Sequence, residues 1–208
     1  PGNDSRFGEL VDPGQDKLKG AYVDLTAIAG GYKPAGIADE PGRTYVYPCT
    51  DDRFEETMVY YHVDNVQRKM QSLGFAGPAG IYQKPIPAHA HFFADCNAFY
   101  DPVDRGIHFG DSDLGWCNSL GAPPDTAEDA DVIVHEYGHA IQDDQVPGWG
   151  FGKLATAFHA LSMGEGFGDF LPAAIFGDAC VGEWASFGRD ACGGGEGLRN
   201  LENAATYN

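Results

Sequence analysis

An α+β fold is the architecture this sequence predicts, on three observations. A long amphipathic helical run, "DDRFEETMVYYHVDNVQRKMQSLGF", follows a region of short β-like runs among Gly/Pro turns. Two apolar strands around the turn "DPVDRG" read as a β-hairpin. A second uninterrupted helical run, "DTAEDADVIVHEYGHAIQDD", comes after that hairpin. The bulk numbers agree with a packed protein. The chain has 208 residues, of which 43% are hydrophobic and 12% aromatic, enough to bury a substantial core. Its 29 glycines imply many turns.

In chain order, the runs "AYVDLTAIAG" and "RTYVYPC" read as strands within the first 50 residues. The first helix is expected to start at Asp52, with Glu55 completing a capping box, and to end at Gly74. Phe54, Met58, Tyr61, Val66, Met70 and Leu73 fall near one face of it. His62, in the same helix, reads as a packed or surface histidine. The hairpin strands are "HFFADCNAFY" and "GIHFG"; His89 and His91 share a strand face, and His108 alternates with apolar residues, so all three read as structural. Pro123 and Pro124 punctuate the entry to the second helix, which Asp125 is expected to cap with Glu128. The segment "LATAFHALSMGEGFGDFLPAAIFGD" reads as helical in its latter part, with Pro172 implying a kink or a late start. The tail reads as loop.

Charge narrows the function classes. With 31 acidic and 13 basic residues the formal charge is -18, which repels nucleic acid and anionic membrane surfaces. No stretch approaches the ~20 apolar residues of a membrane span. The chain opens at Pro1 with neither an initiator methionine nor a signal peptide, and is read as a processed or excised piece. None of the five cysteines forms a C-x-x-C pair, so disulfides of an oxidising, extracellular compartment are expected. Proximity in sequence pairs Cys96 with Cys117 and Cys180 with Cys192, leaving Cys49 over.

The chemistry is carried by "HEYGH". Residues four apart on a helix lie one turn above each other, so His135 and His139 can present two imidazole nitrogens to one zinc ion. Glu136 is turned ~100° from His135 and sits beside such an ion, where a carboxylate can accept a proton from water. A pattern of this kind arises by chance about once in a hundred chains of this composition. A catalytic zinc also needs a third protein ligand, and the residues after His139, "AIQDDQVPG", do not continue the metzincin pattern. Glu165 in "SMGEGFGDF" is the candidate, with Asp169 one turn beyond it to meet the other ring N–H of a ligand histidine. The bland alternative makes Ser162 a helix cap and Glu165 its capping-box partner.

"HEYGHAIQ" followed by "GEGFGDF" resembles the gluzincin metallopeptidases, most closely the fungalysin family and its relatives and more distantly thermolysin. The resemblance runs from about Tyr60 to Phe170. It implies His135, His139 and Glu165 as zinc ligands, Glu136 as general base and Asp169 as the partner of His135. The upstream "NAFYDP" resembles the edge strand on which such enzymes lay substrate, which implies contacts from Asn97 and Ala98 to peptide backbone. The implied fold is a thermolysin-like mixed α/β lobe, residues 1–150, followed by the start of a helical lobe, residues 151–208, with the cleft between them. The departures are that no tyrosine lies between His139 and Glu165, where His159 stands, and that only Tyr207 follows Asp169. The expectation is therefore a secreted zinc endopeptidase acting on peptide or protein, with a further C-terminal lobe or second chain completing it. A non-catalytic, zinc-stabilised extracellular module is the alternative. Calcium is a further possibility at "DPVDRG" and "FGDSDLG", against solvated acidic loops.

Overall fold

The computed structural model describes residues 16–77, 80–113, 124–148, 155–186 and 197–202, with the side chains of 155–157 left out. Its elements are β1 (Val23–Asp24), α1 (Arg53–Ser72), β2 (Ile86–Phe93), β3 (Ala98–Asp101), β4 (Gly106–Gly110), a 3-10 turn (Thr126–Glu128), α2 (Ala130–Gln145), α3 (Ala155–Phe176), β5 (Cys180–Val181) and β6 (Arg199–Asn200). The fold is mixed α+β.

The main sheet runs β1-β2-β4-β3. β2 pairs parallel with both β1 and β4, and β3 returns antiparallel on β4. The hairpin is thus β3–β4 alone. The run "HFFADCNAFY" is not one strand, because β2 ends at Phe93 and β3 begins at Ala98. β3 is left at the sheet edge. Of the two runs expected as strands in the first 50 residues, only Val23–Asp24 pairs. "RTYVYPC" forms no strand; Tyr45 and Tyr47 instead anchor it as a loop, donating to Asp16 O (2.9 Å) and Glu40 Oε1 (2.7 Å).

One sheet face packs on α1 and α2. It carries Ile86, Ala88 and Ala90 of β2, Ile107 and Phe109 of β4 and Tyr100 of β3, all buried with Val59, Val63, Ile133, Val134 and Tyr137 from the helices. Burying each aliphatic side chain contributes about 1.5–3 kcal/mol before entropy is counted. The opposite face carries His89, His91 and His108, each essentially fully buried, as alternation along a strand requires. These histidines are structural. His89 Nε2 meets Gly30 O (2.8 Å), and His91 bridges Asp111 (2.7 Å) and Asp52 O (2.8 Å). Burial alone would lower the His91 pKa, but the Asp111 carboxylate outweighs it and raises the value to about 9. His62 packs edge-on between Tyr61 and Phe176.

The helix starts differ from expectation for a common reason, the choice among neighbouring aspartates. Asp52 makes no side-chain cap to α1; Asp51 accepts from Arg53 N (3.1 Å) instead. Asp125 accepts from Ser112 N (2.6 Å) and leaves the capping of α2 to Asp129, which accepts from Asp131 N (2.8 Å) and Val132 N (3.2 Å). The positive φ of Gly74 (103°) closes α1 as expected. α3 is one continuous helix with Pro172 inside it. Ser162 is therefore an interior residue bonded to Phe158 O (3.0 Å) and caps nothing, which removes the capping-box account of Glu165.

The described carboxylates of the acidic turns are engaged within the fold, and one atom each from Asp101, Asp104 and His108 lies within 4.8 Å of the others. In "DPVDRG" Asp101 and Asp104 accept from Val103 N and Gly106 N (2.8 Å each), and Asp104 pairs with His108. In "FGDSDLG" Asp111 is taken by His91 and by Lys33 (2.7 Å). Cys96 and Cys180 are disulfide-bonded and Cys49 is free and exposed; Cys117 and Cys192 lie outside the described residues. No described helix is long and apolar enough to cross a membrane.

Candidate metal and catalytic site

The site forms where α2 crosses α3. The histidine spacing puts both rings on one face of α2, with centroids 4.7 Å apart. Their Nε2 atoms lie 3.1 Å from each other. Glu165 reaches across from α3 with one carboxylate oxygen 3.4 Å from each Nε2. A tetrahedral ion with bonds of ~2.0–2.1 Å spaces its donors about 3.3–3.4 Å apart. The two Nε2 atoms, 3.1 Å apart, and the two Glu165 oxygens, Oε2 3.4 Å from His135 and Oε1 3.4 Å from His139, have spacings close to that. One donor atom each from His135, Glu136 and His139 also falls within 4.8 Å of the others. Glu136 stands about 100° around the helix from His135, so of the two carboxylates Glu165 is the one facing both imidazoles.

Each donor is oriented by something beyond it. His135 Nδ1 donates to Asp169 Oδ1 (2.9 Å), which fixes the orientation of the ring and turns Nε2 toward Glu165. Burial would lower the His135 pKa, but its hydrogen bonds to Asp169 and Glu165 carry it to about 9. Asp169 is held in turn by the Arg199 guanidinium on β6 (2.7 and 2.8 Å). Burial pushes the Asp169 carboxyl up, yet His135 and Arg199 together keep it below its usual value. The hydrogen bonds from both histidines hold the Glu165 carboxyl far below the ordinary range. Glu136 behaves in the opposite way: burial raises its pKa, against the pull of the two imidazoles and of a backbone N–H from Tyr100.

Glycine makes the crossing possible. A Cβ on Gly168 would stand 2.7 Å from the His135 ring, and one on Gly138 would stand 3.3 Å from the Gly168 backbone. A Cβ on Gly164 would come within 3.8 Å of the His139 ring. The glycines of "GEGFGDF" and "HEYGH" therefore let the two helices approach until Glu165 and Asp169 meet the imidazoles. Gly168→Ala is expected to push the His135 ring off Asp169 and to lower metal occupancy at least tenfold, as loss of an outer partner does. Metal analysis of the folded variant checks this, and parental occupancy would refute it.

A cleft of about 360 Å³ opens over these groups. Asn97 and Ala98 form part of its wall, as do Val132, Leu161 and Leu198. Gly110 N donates to Asn97 O (3.0 Å), directing that carbonyl toward β4 just before the first ladder pair, Ala98 with Phe109. By alternation the backbone groups of Ala98 and Tyr100 then face the open edge. Tyr100 also lines the cleft, but its hydroxyl donates to the buried Asp143 (2.8 Å). His159 is exposed on α3. Sequence reasoning missed Arg199 and Thr126. Arg199 comes from a segment without motif or periodicity, and Thr126 from the start of the motif-bearing run, where nothing in the sequence shows that its hydroxyl faces the sheet.

No family model matches the chain. It is similar to fungal proteins named extracellular metalloproteinases. The "Probable extracellular metalloproteinase 2" of Arthroderma benhamiae and that of Trichophyton verrucosum are each 26% identical to it over 182 residues, covering 74% of this chain and 28% of theirs. The "Extracellular metalloproteinase 1" of Phaeosphaeria nodorum is 27% identical over 188 residues, covering 84% of this chain and 28% of its own. The chain thus spans just over a quarter of the length of these relatives.

Proposed function

We propose that this chain is the metal-bearing part of a secreted zinc-dependent endopeptidase of the gluzincin type, most like fungalysins and more distantly like thermolysin. The observation that carries the reading is the meeting of His135 Nε2 and His139 Nε2, 3.1 Å apart, with the Glu165 carboxylate, one oxygen of which lies 3.4 Å from each, and the buried Glu136 beside them. His135, His139 and Glu165 would hold the zinc, which when bound polarises a scissile carbonyl and acidifies water. Glu136 takes the proton of the attacking water and delivers it to the leaving amine. Asp169 holds His135 in the tautomer that offers Nε2 as a lone pair. Asn97 and Ala98, at the start of the open sheet edge, align the peptide as an added strand.

In this reading residues 1–150 form the mixed α/β lobe and residues 151–208 begin a helical lobe that brings the third ligand. A further lobe or second chain supplies the rest of the cleft wall and the groups that stabilise the tetrahedral oxyanion. Secretion is supported by the names of the relatives and by the disulfides at Cys96 and Cys180. The test is metal analysis together with peptide hydrolysis by the full-length protein, with and without a chelator. One zinc per chain and chelator-sensitive cleavage are expected. A protein that binds zinc stoichiometrically and cleaves no peptide would instead be a zinc-stabilised module, and one that binds no zinc would end both readings.

A further inference from the structure

We propose that Thr126 is a positioning residue that holds the substrate-facing edge strand against the start of the metal-bearing helix. The proposal rests on the peptidase reading above and names a group that the reading does not use. Thr126 opens the 3-10 turn that leads directly into α2, is 3% exposed, and lines the cleft. Its hydroxyl stands 2.8 Å from Asn97 O, 3.1 Å from Gly110 N and 3.1 Å from Gly110 O. A hydroxyl has one proton and two lone pairs, so the short contact to Asn97 O takes the proton and the Gly110 N–H is accepted. One side chain therefore joins the Asn97–Gly110 contact, at the end of the β3–β4 ladder, to the segment that becomes α2.

The consequence falls on the Asn97–Ala98 peptide. With Asn97 O directed inward at Thr126 and Gly110 N, the trans peptide turns the Ala98 N–H outward, where Asn97 Oδ1 covers it (3.0 Å). The next backbone group to face the open edge is the Ala98 carbonyl, which is the acceptor an incoming strand needs. Farther along the same strand the Tyr100 backbone N–H meets Glu136. The Thr126 hydroxyl thus fixes the peptide plane on which the substrate is laid, through bonds to Asn97 and Gly110. Valine fills nearly the same volume and makes none of these bonds, whereas serine makes all of them.

The experiment compares Thr126→Val and Thr126→Ser with the parent in the full-length protein, by steady-state peptide hydrolysis, metal analysis and hydrogen exchange of the Gly110 amide. Thr126→Val is expected to raise KM by about 3–10-fold, the equivalent of one hydrogen bond, with kcat within about twofold. Zinc content stays at the parental value and the Gly110 amide exchanges faster. Thr126→Ser restores the parental KM. If Thr126→Val does not fold, Thr126→Ala is read against Thr126→Ser in the same way. A cleaving parent whose hydroxyl-free variants keep its KM overturns the positioning role alone, as does a variant that loses kcat or zinc while KM is unchanged. A parent that cleaves no peptide overturns the peptidase reading and this role with it.

Discussion

Replacing Glu136 with glutamine is expected to lower peptide hydrolysis by about 10²–10⁴-fold, the usual contribution of a positioned acid–base group, while leaving zinc content unchanged. The two outcomes separate because Glu136 and the ligands occupy different positions on α2. His135 and His139 share one face with Nε2 atoms 3.1 Å apart, and Glu165 meets both from α3. Glutamine keeps the size of Glu136 and still meets the Tyr100 backbone N–H, but it cannot take a proton. Hydrolysis at the parental rate by the variant would remove Glu136 from the proton transfer. A loss of zinc in parallel with activity would place it among the ligands.

Glu165→Ala should show the reverse order of effects. Losing the α3 carboxylate leaves two histidines, and metal affinity is expected to fall by more than the ~10–100-fold that an outer partner such as Asp169 costs. Asp169→Asn, which keeps a hydrogen-bond acceptor for His135 Nδ1, provides that smaller reference in the same titration. The side chain of Glu165 is 60% exposed, so its removal leaves no buried cavity and the helix packing survives. Competition against a chromophoric chelator measures all three proteins. Undiminished affinity in Glu165→Ala would take Glu165 out of the ligand set, and equal losses in the two variants would mean that Glu165 also acts through His135.

Much of this site was legible along the chain because its parts are local. His135, Glu136 and His139 sit within two turns of one helix, so the 3.6-residue period alone places them. Glu165 and Asp169 are one turn apart on a second helix, and the structure brings that pair onto the histidines. What stayed illegible arrives from elsewhere. Arg199 anchors Asp169 from β6, 30 residues away, and Thr126 clasps Asn97 across 29 residues. The capping aspartates are not legible in sequence, since Asp51 and Asp52, like Asp125 and Asp129, offer the same carboxylate and differ only in which backbone N–H groups lie in reach. The run "HFFADCNAFY" was read as one strand because apolar content cannot reveal that "ADCN" turns the chain between a parallel and an antiparallel partner.

Amino-acid order by itself determined which groups are available and how each lies on its own element: two imidazoles on one helix face, a carboxylate beside them, a second carboxylate pair one turn apart, and small residues between. Tertiary structure decided which of those groups meet. Glu165 stands 3.4 Å from both imidazoles because Gly138 and Gly168 let α2 and α3 close to backbone contact. Whether two helices cross at a glycine depends on the whole core beneath them. The same holds for β3, whose place at the open edge follows from β2 pairing parallel with β4 on its other side. Periodicity is a property of neighbours in sequence, whereas donor distances are a property of neighbours in space, and only folding converts one into the other.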